Sequence, residues 1–193
     1  MGAAVGLIFT AVLLIAIVAW TVFSRQRRDA AWKQLGADLG AEFIAGGAFK
    51  SSKVQARVKQ GTITLDTYSV PSGDSSTTYT RLRAPFQNPE RFEFRVFREG
   101  IVGKLDKALG MKDLEIGVSD FDDDFIIQSN NETRVRALLS NTRIRQLIQA
   151  QRAIRLYAKN NELLLEAQGV IRDLERLKSL FELFTETLND LQP

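Results

Sequence analysis

The sequence predicts an α+β fold: an N-terminal transmembrane helix, then one antiparallel-sheet domain with helices packed on it and a long C-terminal helix. Three observations predict it. The chain opens on a charge-free apolar run, its middle alternates apolar and polar residues with a period of two, and its end places apolar residues at steps of four and three. The expected organisation is a transmembrane anchor over residues 1–24, a basic juxtamembrane helix or linker over 25–40, and a cytoplasmic α+β domain over 41–193.

Ala3 to Phe23 is 21 residues without a charge. As a helix it spans roughly 32 Å, close to the hydrocarbon thickness of a bilayer. No Lys or Arg precedes the run and no A-x-A-type cleavage site follows it, so a retained anchor is expected rather than a signal peptide. Arg25, Arg27, Arg28 and Lys33 follow directly. The positive-inside rule then puts the N-terminus outside and the large domain in the cytoplasm. Trp20 suits the interface near the exit. Gly2, Gly6 and Thr10 form a small-xxx-small pattern, a candidate contact with another membrane helix. Arg25, Arg27 and Arg28 are candidates for contact with anionic lipid.

Asp29 to Leu39 continues as a helix with Ala30, Trp32, Leu35 and Leu39 as its apolar positions, and Gly40 stops it. Strands are predicted over 54–58, 63–66, 77–86 and 92–96, with Gln60-Gly61 as a tight turn and 69–76 as a loop built on Pro71, Gly73 and Asp74. A short helix is expected over 101–109 and a short strand over 125–127. Ser129-x-x-Glu132 reads as a capping box opening a helix, and Asn141 restarts a second one through Ile148. Strands 153–159 and 162–168 flank Asn160-Asn161, a hairpin-type turn. The array reads as an antiparallel meander with helices on one face.

The last helix is expected from Val170 to about Leu188. Val170, Leu174, Leu177, Phe181, Phe184, Leu188 and Leu191 form a heptad seam, which Ile171, Leu180 and Leu183 widen. The width favours packing on the chain's own sheet. A contact with a partner or a second copy through Phe181, Phe184 and Leu188 is the other reading.

Composition removes much chemistry. The chain has no Cys and no His, hence no disulfide, thiolate nucleophile, Ser-His-Asp triad or imidazole base. No cofactor or catalytic constellation is expected, and the protein reads as no enzyme. The net charge of +3 sits in one place. Residues 25–33 hold four bases and one acid, so 22 of each sign remain from Gln34 onward. A neutral domain of this kind argues against nucleic acid. Asp120, Asp122 and Asp124 imitate the opening of a calcium loop. Phe125 replaces the required glycine and Asn131 the closing glutamate, so a solvated turn without metal is expected. Arg81, Arg83 and Arg95 on neighbouring strands are candidates for an acidic partner or a phosphate. Arg134, Arg136, Arg143 and Arg145 offer the same on the helical pair. Gly46-Gly47 and 100–104 complete no phosphate-loop pattern.

Tyr79-Thr80-Arg81, Phe121-Asp122-x-x-Phe125-x-Ile127-x-Ser129-Asn130 and Arg136-Ala137-Leu138-Leu139 together resemble an uncharacterised family of bacterial single-pass membrane-anchored proteins with a small α+β domain. The resemblance covers residues 3–190 and implies a bacterial envelope protein, with no activity attached. The expected function is that of an accessory or stabilising subunit, or scaffold, of a larger membrane protein complex. Its partners would be integral membrane proteins, met through the transmembrane helix and the cytoplasmic domain, with a homo-oligomer as a further possibility. The alternative is a membrane-tethered sensor or binding module for an anionic small molecule or lipid headgroup.

Overall fold

One helix, α1 (Gly2–Leu39), runs without a break from the apolar segment through the basic one. Gly40 ends it in the left-handed region at φ +62°, where a side chain would be strained. At 1.5 Å per residue its 38 residues reach about 57 Å. The computed structural model describes residues 2–47, 50–59, 61–73, 75–98 and 112–191, with the side chains of 2–8, 10, 11, 72 and 112 outside that description. Among the described residues no helix is long and apolar enough to cross a membrane.

The two halves of α1 meet different surroundings. Phe9 and the large apolar side chains between Val12 and Phe23 are exposed, Trp20 included, while Trp32 and Leu35 are fully buried. The buried half packs on β1 (Glu42–Ile44), β2 (Lys53–Val58) and the last helix, α5 (Leu174–Asp190). The Trp32 indole N–H donates to the Ile171 carbonyl at 3.1 Å, 139 residues away in sequence. Lys178 on α5 reaches Asp38 at 2.9 Å, and this hydrogen bond holds the Asp38 carboxyl below its ordinary range.

The described strands form one nine-stranded antiparallel sheet. In chain order the rest are β3 (Gly61–Ser72), β4 (Ser75–Pro85), β5 (Phe94–Arg98), β6 (Lys112–Leu114), β7 (Phe125–Ser129), β8 (Ile154–Lys159) and β9 (Glu162–Gln168). Their order across the sheet is β1-β2-β3-β4-β9-β8-β5-β7-β6. This corrects the meander: the C-terminal hairpin β8–β9 inserts between β4 and β5. The sequence pattern marks seven of the nine strands, not β1 or β6, and carries no information on which strands are neighbours. The loop expected over 69–76 is also corrected. Thr67 to Ser72 pairs in register with Thr80 to Ser75, so the polar run is a hairpin arm. Asn160 and Asn161 both take positive φ (52° and 61°), the geometry that a two-residue hairpin with the right-handed strand twist requires. The expected helix over 101–109 lies outside the described residues.

Val54, Ile63, Leu65, Leu82, Leu163, Leu165, Leu156, Val96 and Ile127 point to one face and form the core. Against them pack α1, the one-turn α2 (Ser119–Asp122), α3 (Glu132–Ser140), α4 (Thr142–Gln149) and α5. The α3 cap is corrected: Ser129 is the last residue of β7, and Asn131 accepts from the Arg134 amide at 3.0 Å instead. Asn141 caps α4 as expected. Helix α5 starts later than Val170. Gly169, at φ +88°, and Ile171, whose N–H donates to the Thr80 hydroxyl at 3.0 Å, hold that stretch extended until Asp173 caps the helix.

Replacing Trp32 by Ala removes the largest fully buried side chain on α1 and leaves the Ile171 carbonyl without its donor. A loss of about 3–5 kcal/mol is expected in denaturant unfolding followed by far-UV circular dichroism. A loss below about 1 kcal/mol would mean that α1 is not fixed to the domain.

Candidate functional site

Two polar places stand out, one on the outer face of the sheet and one at the neck where α1 meets the domain. On the outer face, neighbouring strands bring Asp66 (β3), Arg81 (β4), Glu166 (β9) and Arg155 (β8) into one row across the sheet. Tyr68 stands opposite Tyr79, and the rings stack with centroids 5.5 Å apart. The side chains of the described helices lie on the other face.

Glu166 is the centre of this arrangement. It is 4% exposed, although it points away from the core. Its carboxylate accepts from Tyr68 Oη at 2.5 Å and Tyr157 Oη at 2.8 Å, and it pairs with Arg155 at 2.7 Å. Arg155 in turn lies over the Tyr79 ring at 4.8 Å, and Arg81 over the Tyr68 ring at 4.7 Å. Asp66 takes two parallel bonds from Arg81, each 2.9 Å, and a third from Arg83 at 3.3 Å. A fork-to-fork pair of this kind fixes both planes. Burial, and the Glu166 charge beside them, push both the Tyr68 and Tyr157 hydroxyls well above the ordinary tyrosine range. At neutral pH both phenols are therefore fixed donors. The network presents planar guanidinium and aromatic surface.

The expected contact residues fall in several places. Arg81 and Arg83 share Asp66, and Arg83 also faces Glu162 at 3.6 Å. Arg95, paired in register with Tyr157 on β8, lies on the same outer face. Phe181, Phe184 and Leu188 are corrected: all three are buried in the core beneath the sheet, so the broad stripe packs on the chain's own domain. Gly2, Gly6 and Thr10 fall within α1, but their surroundings lie outside the described residues. The helical arginines are engaged locally. Arg134 pairs with Glu90, Arg136 with Glu132 and Arg143 with Glu182, while Arg145 donates to the Leu139 carbonyl. In the acidic turn Asp122 accepts three backbone N–H bonds, from Ile116, Gly117 and Val118, and Asp124 pairs with Arg98.

The neck carries a polar pocket of about 50 Å³ between α1 and the loop that follows β1. Arg25, Arg28 and Asp29 line it from the helix, and Gly46, Lys50, Ser51 and Ser52 from the loop. Arg28, only 12% exposed, pairs with Asp29 at 2.8 Å and donates to the Ser52 hydroxyl at 3.2 Å. The Gly46 amide donates to that same hydroxyl at 3.0 Å. A Cβ on Gly46 would stand 2.2 Å from the Lys50 carbonyl oxygen, so the loop closes only with glycine there. Arg27 is not part of the pocket: its guanidinium lies over the Phe23 ring at 4.6 Å. Sequence reasoning missed both Glu166 and this pocket. Glu166 was one acid in an apolar strand, and Gly46-Gly47 fitted no phosphate-loop pattern.

Replacing Glu166 by Gln removes the charge facing Arg155 while keeping the shape. A loss of about 2 kcal/mol is expected in denaturant unfolding. The tyrosines give the pH dependence its sign. A phenol whose folded pKa is raised binds its proton more tightly in the folded state. Its contribution is complete below the ordinary value near 10 and is lost as pH rises above it. Stability should fall above about pH 10, and less steeply when Tyr68 and Tyr157 are both Phe. An unchanged slope in that double variant would mean the phenols are not held as described.

No protein-family model and no curated protein matches the chain. Among solved structures, the fold is similar to that of the mycobacterial trehalose monomycolate transport factor A, TtfA. The TM-score is 0.55 at 10% sequence identity, covering 86% of this chain and 96% of that one. At that identity the likeness is one of fold.

Proposed function

We propose that the protein is a non-enzymatic, single-pass membrane protein that serves as an accessory or stabilising subunit of a larger membrane assembly. The observation that carries this is the division of α1. Its first half presents apolar side chains outward around the helix, and its second half is buried in the domain core. Exposed Leu, Ile, Val and Phe side chains over three turns are costly in water and need either lipid or a partner. The described apolar run from Val12 to Phe23 reaches about 18 Å, and the charge-free sequence from Ala3 extends it to the thickness of a bilayer. The basic flank at Arg25–Arg28 supports a cytoplasmic domain with the N-terminus outside.

The outer sheet face supports a partner role. Arg and Tyr side chains held rigid by Asp66 and Glu166 are the residue types that dominate binding surfaces, and their order is set before any partner arrives.

The test is extraction from the native membrane. The full chain should stay in the membrane through alkaline carbonate and high salt, leave it in mild detergent, and co-migrate with other membrane proteins at constant stoichiometry. Leu14→Arg with Val18→Arg should release it, each arginine costing about 3 kcal/mol at the centre of a membrane helix. Release of the unaltered chain by carbonate would overturn the anchor. Migration as a lone monomer in detergent would overturn the subunit.

A further inference from the structure

We infer that the neck pocket is a binding site for a phosphate group, and that the headgroup of an anionic phospholipid supplies it. This deepens the membrane reading and rests on it for the source of the phosphate, though not for the site itself.

The chemistry of the lining comes first. Ser52 is fully buried, and its hydroxyl oxygen already receives the Gly46 N–H and the Arg28 guanidinium. With both incoming donors satisfied, its own proton remains to be donated, and no acceptor takes it among the described residues. A buried donor without an acceptor is costly, and a ligand oxygen in the pocket relieves it. Arg25 and Lys50 line the same space and make no hydrogen bond or ion pair among the described residues. With Arg28 they set three positive charges against Asp29 alone. A cavity of about 50 Å³ exceeds several-fold what one water needs and is the scale of a single phosphate. Gly46 lets the backbone of Lys50 to Ser52 approach it closely, because any side chain there meets backbone.

The position identifies the source. Arg25 and Arg28 follow Phe23 by two and five residues, about 3 and 8 Å along the helix axis. The polar headgroup layer of a bilayer is about 5–8 Å deep on each side of the hydrocarbon. An anchor that ends at Phe23 therefore holds the pocket at headgroup depth. Arg25 and Arg28 stand three apart on one helical face and point to the loop, whereas Arg27 lies back over Phe23. A diffuse attraction to anionic lipid would use all three equally. A built site uses two of them together with Lys50.

The experiment uses the full chain purified in non-ionic detergent, so that it reports on the pocket whatever the outcome of carbonate extraction. Native mass spectrometry counts retained phosphatidylglycerol, with phosphatidylcholine as the zwitterionic comparison. Inorganic phosphate is titrated separately while the Gly46 and Ser52 amide resonances are followed. The expected result is one phosphatidylglycerol per chain and little phosphatidylcholine. Arg25→Gln and Lys50→Gln should each weaken retention about fivefold, and Arg27→Gln much less. Far-UV circular dichroism confirms that the variants remain folded. Amide shifts with inorganic phosphate but no retained lipid would support the phosphate site and overturn the lipid as its source. Equal losses in Arg27→Gln and Arg25→Gln, or binding of neither probe, would overturn the site.

Discussion

The hydrogen bond from the Trp32 indole to the Ile171 carbonyl is the constraint on which the rest of the structure depends. It joins the first helix to the link between the last strand and the last helix. That link is itself fixed by Thr80, whose hydroxyl donates to the Gly169 carbonyl at 2.8 Å and accepts from the Ile171 amide at 3.0 Å. Three segments from the beginning, middle and end of the chain thus meet in one buried polar cluster. In an apolar interior each of these groups is costly unless all are paired, so the cluster fixes one arrangement of α1 against the domain. Directions set at Trp32 are carried along the helix to Phe23 and to the pocket at Arg25 and Arg28.

The same reasoning explains how the outer face, which carries none of the described helices, is held in one arrangement. Glu166 is nearly sealed from water by the side chains that bond it, and the two tyrosines and Arg155 satisfy both oxygens. Removing one member strands the others. The network is an assembled surface more than a set of independent charges, and its tyrosines hold their protons too tightly for acid–base work near neutral pH.

Much of the fold was legible where one residue decides one local outcome. Gly40 ended α1, Asn141 capped α4, Asn160-Asn161 turned the last hairpin, and the broad stripe of α5 announced a helix lying on its own sheet. What failed needed information from afar. The order of strands depends on which hairpin inserts where, and period-two alternation is the same in every permutation. The polar stretch 69–76 reads as a loop because nothing in its composition shows that Ser69–Ser72 pairs with Ser75–Thr78. Ser129 satisfied the spacing of a capping box, yet the strand before it claimed its backbone for pairing with Phe94. The arginines at 81 and 83 were identified as a group, but Glu166 and Tyr157, which give that group its geometry, come from strands about 75–85 residues further on. The neck pocket was half legible. Its arginines stood out by charge, while its loop half depends on a close approach at Gly46 that only the folded chain shows.

A continuous helix also limits where a partner can be. From Phe23 to Leu35 is twelve residues, about 18 Å of rise, and the first strands of the sheet begin immediately beyond. On the reading proposed above, with an anchor that ends at Phe23, the unbroken helix leaves the domain no flexible tether. A phosphate held by Arg25, Arg28 and Ser52 would brace the helix at the one level where bending moves the domain most. A partner of the outer sheet face meets arginines already paired with Asp66 and Glu166, so it gains from their fixed geometry more than from unsatisfied charge.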